Sequence, residues 1–128
     1  MGDILFTTHW AVRYLVLLAG LVAAALALAR LRAGSITRPG RIAGAAFVGL
    51  LDLQAVIGVA MLLVRPFQPV FMGHLTMMAL ALVVAHGFAI ALRRRPAERQ
   101  TPAVQLTGVG LTLALIVGGI LAIGRSVV

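Results

Sequence analysis

Four apolar runs, each near or above the ~20 residues a helix needs to cross the hydrocarbon core of a bilayer, divide this sequence. They cover residues 5–29, 42–64, 71–92 and 103–124. The links between them, 30–41 (RLRAGSITRPGR), 65–69 (RPFQP) and 93–102 (RRRPAERQTP), are short and carry Pro or Gly. Proline ends a helix because it has no N–H to donate, and a short link turns each helix back against the one before. The expected fold is all-α: a single domain over residues 1–128, built as an antiparallel bundle of four transmembrane helices.

Composition supports the membrane reading. The chain is 62% hydrophobic and 11% charged, with a mean hydropathy of +1.09. A water-soluble domain of 128 residues could not hide that much apolar surface. The net charge of +8, from 11 arginines, no lysine and three acids, would suit a nucleic-acid binder if the arginines lay along one helix face. They sit instead at the ends of the apolar runs, so no nucleic-acid partner is expected, and the lipid bilayer is.

Sidedness follows from the same residues. Arg30, Arg32, Arg38, Arg41, Arg93, Arg94, Arg95 and Arg99 fall in the first and third links, whereas Arg65 and Arg125 flank the other side. An excess of arginine marks cytoplasmic loops, which puts both termini on the periplasmic side. The stretch MGDILFTTHW lacks a basic leader and carries Asp3, so the first run is expected to persist as a helix. Arginine without lysine and abundant Ala and Gly point to a GC-rich bacterial source, hence a multi-pass protein of the bacterial inner membrane.

Between helices in lipid, contact comes from close backbone approach through small residues. Gly20 with Ala23, Ala24 and Ala27, then Gly49 and Gly58, then Gly108, Gly110, Gly118 and Gly119 are the candidates. A flat cofactor would need the same kind of neighbour. The fourth run, with only Gln105, Thr107 and Thr112 as polar residues, reads as a structural wall.

The chemistry must lie in the few polar residues of the other runs. An ionisable side chain at the centre of a membrane helix costs roughly 2.5–3.5 kcal/mol on insertion scales, so each needs a partner. His9 and Arg13 lie on the first run, Asp52 and Gln54 on the second, His74 and His86 on the third. At ~1.5 Å of rise per residue, His9 and His74 both sit about 5–7 Å inside the same interface, where they can face one another. His86 is ~18 Å further along the third helix and ~120° around it, which puts it in another layer. With no cysteine, metal chemistry falls to His9, His74 and His86.

Two imidazoles from separate helices meet the needs of a b-type haem, whose iron takes axial nitrogen ligands. Three histidines supply one bis-histidine haem with one left over, so one haem b is expected, with two as the alternative, although two bis-histidine haems would need a fourth histidine. Arg13, one turn from His9 on the same face, suits a haem propionate or an ion pair with Asp52. Asp52 is expected to pair with Arg13 or His86, with a role in proton transfer or at a quinone head as the sharper alternative. Gln54 is expected to bond to a neighbouring helix. Met77 and Met78 read as packing, and Trp10 and Tyr14 as interfacial anchors.

The run from His9 to Leu17 (HWAVRYLVL), Leu51-Asp52-Leu53-Gln54 followed by Gly58, Gly73-His74-Leu75-Thr76-Met77-Met78, and Ala85-His86-Gly87 together resemble a family of small four-helix bacterial membrane proteins labelled cytochrome b-like. The resemblance covers nearly the whole chain. It implies haem binding or electron transfer carried by His9, Arg13, Asp52, Gln54, His74 and His86. The family's third helix usually opens Glu-His-Pro, whereas this chain has Gly73-His74-Leu75 and an unusually short second link, so it lacks an acid that could bond the histidine.

Three functions follow as expectations. The first is a b-type haem protein passing electrons, with quinol as a candidate partner, as an electron-transfer protein or subunit rather than a stand-alone enzyme. The second is a cofactor-free accessory subunit of a larger respiratory or photosynthetic complex, or a homo-oligomer. The third is a transporter-like protein moving protons through Asp52 and His86.

Overall fold

The computed structural model describes residues 2–124, and Arg125 lies outside them. Within that range the chain is all-helical: α1 (Gly2–Ala29), α2 (Arg38–Val64), α3 (Met72–Arg93) and α4 (Pro102–Ala122). Single 3-10 turns at Pro69–Phe71 and Ala97–Arg99 lead into α3 and α4. All four helices are long and apolar enough to cross a membrane.

Their boundaries reflect local chemistry. α2 begins four residues before the expected start at 42, because Thr37 is extended and its hydroxyl accepts a bond from the Gly40 amide at 3.3 Å, with Pro39 in the first turn. Arg38 and Arg41 therefore belong to the first turn of α2 rather than to the link. After α1 the backbone turns through Gly34, whose φ of 78° is open to a residue without a Cβ, and the Gly34 amide closes onto the Arg30 carbonyl at 3.1 Å.

α1 packs on α2, α3 on α4, and α1 on α4, while α2 and α3 meet least among these four neighbouring pairs. The helices thus run around a square in chain order, with α1 diagonal to α3. Small residues fill the seams: Ala23, Ala27, Ala81 and Ala85 are fully buried, whereas Leu63 is 82% and Val83 70% exposed. This reverses the pattern of a water-soluble bundle, as expected when large apolar side chains face lipid.

Several expected glycine contacts are present. A Cβ on Gly20 would meet Leu113 at 2.6 Å and Phe47 at 2.9 Å, one on Gly118 would meet Met77 at 2.8 Å, and one on Gly108 would fall inside the Phe88 ring. Gly49 and Gly110, by contrast, face open space. Their expected role in packing between these four helices is not present, since both point out of the bundle. Gly44, not singled out from the sequence, is the one that admits Gln105.

α4 does more than wall off one side. Gln105, 2% exposed, donates to the Ala23 carbonyl of α1 at 3.2 Å and to the Gly40 carbonyl of α2 at 3.1 Å. At that end the Ile36 amide bonds the Gln100 carbonyl at 3.1 Å, joining the first and third links. Eight arginines therefore gather at one end of the bundle. At the other, Arg65 reaches the Gly2 carbonyl at 3.1 Å and Asp3 at 3.4 Å.

Candidate functional site

A cavity of about 410 Å³ opens inside the bundle near the end that holds Gly2 and Arg65. α1 supplies His9 and Arg13, which a spacing of four places on one face; α2 supplies Gln54 and Gly58, and α3 supplies His74 and Met78. Ile116 and Ile120 of α4 close the far wall. Its size is that of a ligand pocket, apolar with a few converging polar groups.

The His9 and His74 rings face one another across this space from diagonally opposed helices. Their centroids are 6.5 Å apart and their planes make an angle of 76°. His74 Nδ1 lies 3.0 Å from the Gly119 carbonyl oxygen. A carbonyl can only accept, so Nδ1 carries the proton, and in the neutral ring Nε2 keeps its lone pair. Gly119 allows this approach: a Cβ there would sit 2.6 Å from Met78 Cε and 3.4 Å from His74 Nδ1.

His9 is braced from α2. The Gln54 side-chain amide donates to the His9 backbone carbonyl at 2.9 Å, the cross-helix bond expected of Gln54. The His9 ring rests on Gly58, where an added Cβ would lie 3.4 Å from Cε1. Its Nδ1 is buried with no partner in hydrogen-bonding geometry.

Arg13 is bonded to Tyr14 Oη at 2.9 Å and lies over the Tyr14 and Trp10 rings, 4.8 and 5.8 Å from their centroids. Tyr14 and Trp10 were expected as interfacial anchors; both line the cavity and hold the guanidinium there. The signal for this was their position one residue after Arg13 and His9. The Gly119 carbonyl had no such signal, because a backbone acceptor leaves no mark on residue type.

Among the described residues, three buried side-chain atoms lack a hydrogen-bond partner: His9 Nδ1, Arg13 Nε and Gln54 Oε1. All three belong to residues that line this cavity. Buried polar atoms are normally satisfied, at a cost of ~1–3 kcal/mol each when they are not. Three such atoms on residues of one cavity make it the candidate site.

The donor set can be tested against a haem. Two metal–imidazole bonds of about 2 Å, each with roughly 1 Å from nitrogen to ring centre, place the centroids about 6 Å apart, close to the 6.5 Å observed. Two imidazoles are too few for a bare ion that takes four protein ligands, but suffice for a metal that brings an equatorial ring of its own. His74 also has the backbone partner on its remote nitrogen that metal-binding histidines generally have. The residues present fit the group.

Asp52 and His86 lie elsewhere and do not line the cavity. They pair with each other, His86 Nε2 to Asp52 Oδ1 at 2.7 Å, on the seam between α2 and α3. Of the two partners expected for Asp52, His86 is the one it meets. The chain matches no family model, no curated protein and no solved structure. What it does has to be read from these side chains.

Proposed function

We propose that the protein is a b-type haem protein of a bacterial inner membrane that transfers electrons, with quinol as donor or acceptor, and that its arginine-rich links face the cytoplasm. The observation that carries this reading is the opposed pair of imidazoles, 6.5 Å apart across a cavity that Arg13 and Gln54 also line. Haem iron with two imidazole ligands supplies one-electron exchange without an open coordination position.

The chain's own residues would do the rest. The Gly119 carbonyl fixes the tautomer and orientation of His74 and makes its free nitrogen a better donor. Gln54 holds the α1 backbone at His9 in register with α2. Arg13, held at the cavity wall by Tyr14 and Trp10, offers a guanidinium to a carboxylate. Leu51, Leu82, Ile116 and Ile120 keep water from the inner wall.

The test is an absorption spectrum of detergent-purified protein, expressed with ample haem, before and after dithionite. A low-spin b-type spectrum is expected in the wild type, lost in His9→Ala and in His74→Ala, and retained in His86→Ala. A folded wild-type protein without the band would overturn the reading.

A further inference from the structure

Among the described residues, Asp52 and His86 form an ionisable pair between two of the long apolar helices that the cavity does not use. We propose that it is the centre of a self-association surface, covered in the membrane by the same seam of a second copy of this chain. None of its residues lines the cavity, so the proposal stands apart from the haem reading.

Three observations point to that occupant. The first is exposure. The two side chains are 46% and 44% exposed, although they lie at the middle of α2 and in the inner half of α3, between helices long and apolar enough to span a membrane. Ionisable groups at that depth face protein or water rather than lipid, and this chain leaves them half uncovered.

The second is room. On the outward surface Gly49 and Ala45 lie within two turns before Asp52 on α2, and Gly87 follows His86 on α3, about 100° around the helix; all three are exposed, and a Cβ built on either glycine meets nothing within 4 Å. Small residues on an outward face permit a second helix pair to approach closely.

The third is self-complementarity. Nε2 of His86 is engaged with Asp52 Oδ1, which leaves ring Nδ1 and the second carboxylate oxygen uncommitted. With a proton shared in the short Nε2–Oδ1 contact, ring Nδ1–H donates to the free carboxyl oxygen of a second copy. A two-fold axis through the seam makes that bond twice, as an isologous interface requires. The bonds then close a ring of two carboxyl groups and two imidazoles.

The experiment is a dilution series in liposomes, with singly labelled protein and subunit counting by photobleaching. The wild type is expected to dimerise, with a dissociation mole fraction that rises about tenfold in Asp52→Asn and in His86→Phe, each of which removes the bond twice across the axis. Gly49→Leu and Gly87→Leu, which enter open space and should leave the fold intact, should weaken the dimer at least as much. Leu111→Ala, on the exposed face of α4, should not. A monomeric wild type at every dilution, or a dimer indifferent to all four seam variants, overturns the proposal. So does a wild-type monomer whose His86 ring resonance shifts on adding a short-tailed benzoquinone, since a small lipid-soluble ligand would then be the cover. Haem content is read separately from the absorption spectrum, so failure of one proposal does not imply failure of the other.

Discussion

His74 and His86 stand twelve residues apart on one helix, and their surroundings give the same side chain two different jobs. His74 is turned inward, its Nδ1 tied to the Gly119 carbonyl and its ring opposite His9. His86 is turned to the α2 seam and meets a carboxylate. The twelve-residue spacing, ~120° of rotation, already separated them into two layers. What it could not say was that Gly119 sets the His74 tautomer, because any residue of α4 could have presented that carbonyl. Gly119→Ala tests the contact: its Cβ would crowd Met78 Cε at 2.6 Å and Met77 Cβ at 3.1 Å. The expected cost is ~1–3 kcal/mol in reversible unfolding in mixed micelles, with a shift of the His74 ring resonances. Unchanged stability and unchanged resonances would show that α4 does not position the ring.

At the scale of elements, the bundle is a set of seams made by absence of side chains and locked by a few amides. α4 shows this most clearly. Gly108 receives the Phe88 ring of α3, and Gln105 bridges α1 and α2 by two hydrogen bonds from a buried position. Gln105→Leu keeps the bulk and loses both bonds, so we expect a loss of about 1–3 kcal/mol in unfolding free energy with no change in any cofactor spectrum. A variant as stable as the wild type would mean the two carbonyls are equally satisfied within their own helices. Gln105 was visible in the sequence as a polar residue in an apolar run, but with a wall as its only expected role. Its two acceptors lie 82 and 65 residues away, which no local pattern can reveal.

For the whole molecule, charge asymmetry is the organising feature. The first and third links meet through Ile36 and Gln100, and bring eight arginines to one end, while Arg65 is tied to Gly2 and Asp3 at the other. The absence of cysteine makes sidedness simple to measure. With single substitutions Ala33→Cys, Glu98→Cys and Gln68→Cys, a membrane-impermeant maleimide is expected to label only Gln68→Cys from the periplasmic side and the other two only after the membrane is opened. The opposite pattern would invert the proposed orientation, and labelling of all three from one side would rule out the bundle as a spanning unit.

Much of the architecture was legible because it rests on one-dimensional quantities: apolar run length sets the number of helices and link length makes them antiparallel, whereas the start of α2 at Arg38, capped by Thr37, was placed four residues late because apolar run length does not register a polar first turn. Depth along a helix is equally linear, so His9 and His74 could be matched in level from the rise per residue alone. Rotation about each axis and the choice of neighbours are not linear. Those were decided by which glycine seams interlock, and they set the ring separation at 6.5 Å, brought Trp10 and Tyr14 around Arg13, and gave Asp52 to His86 rather than to Arg13. The sequence by itself determined the layers of this protein; only the tertiary structure decided which polar groups within a layer meet, because in an all-apolar bundle the packing of small residues, not amphipathic periodicity, chooses the faces.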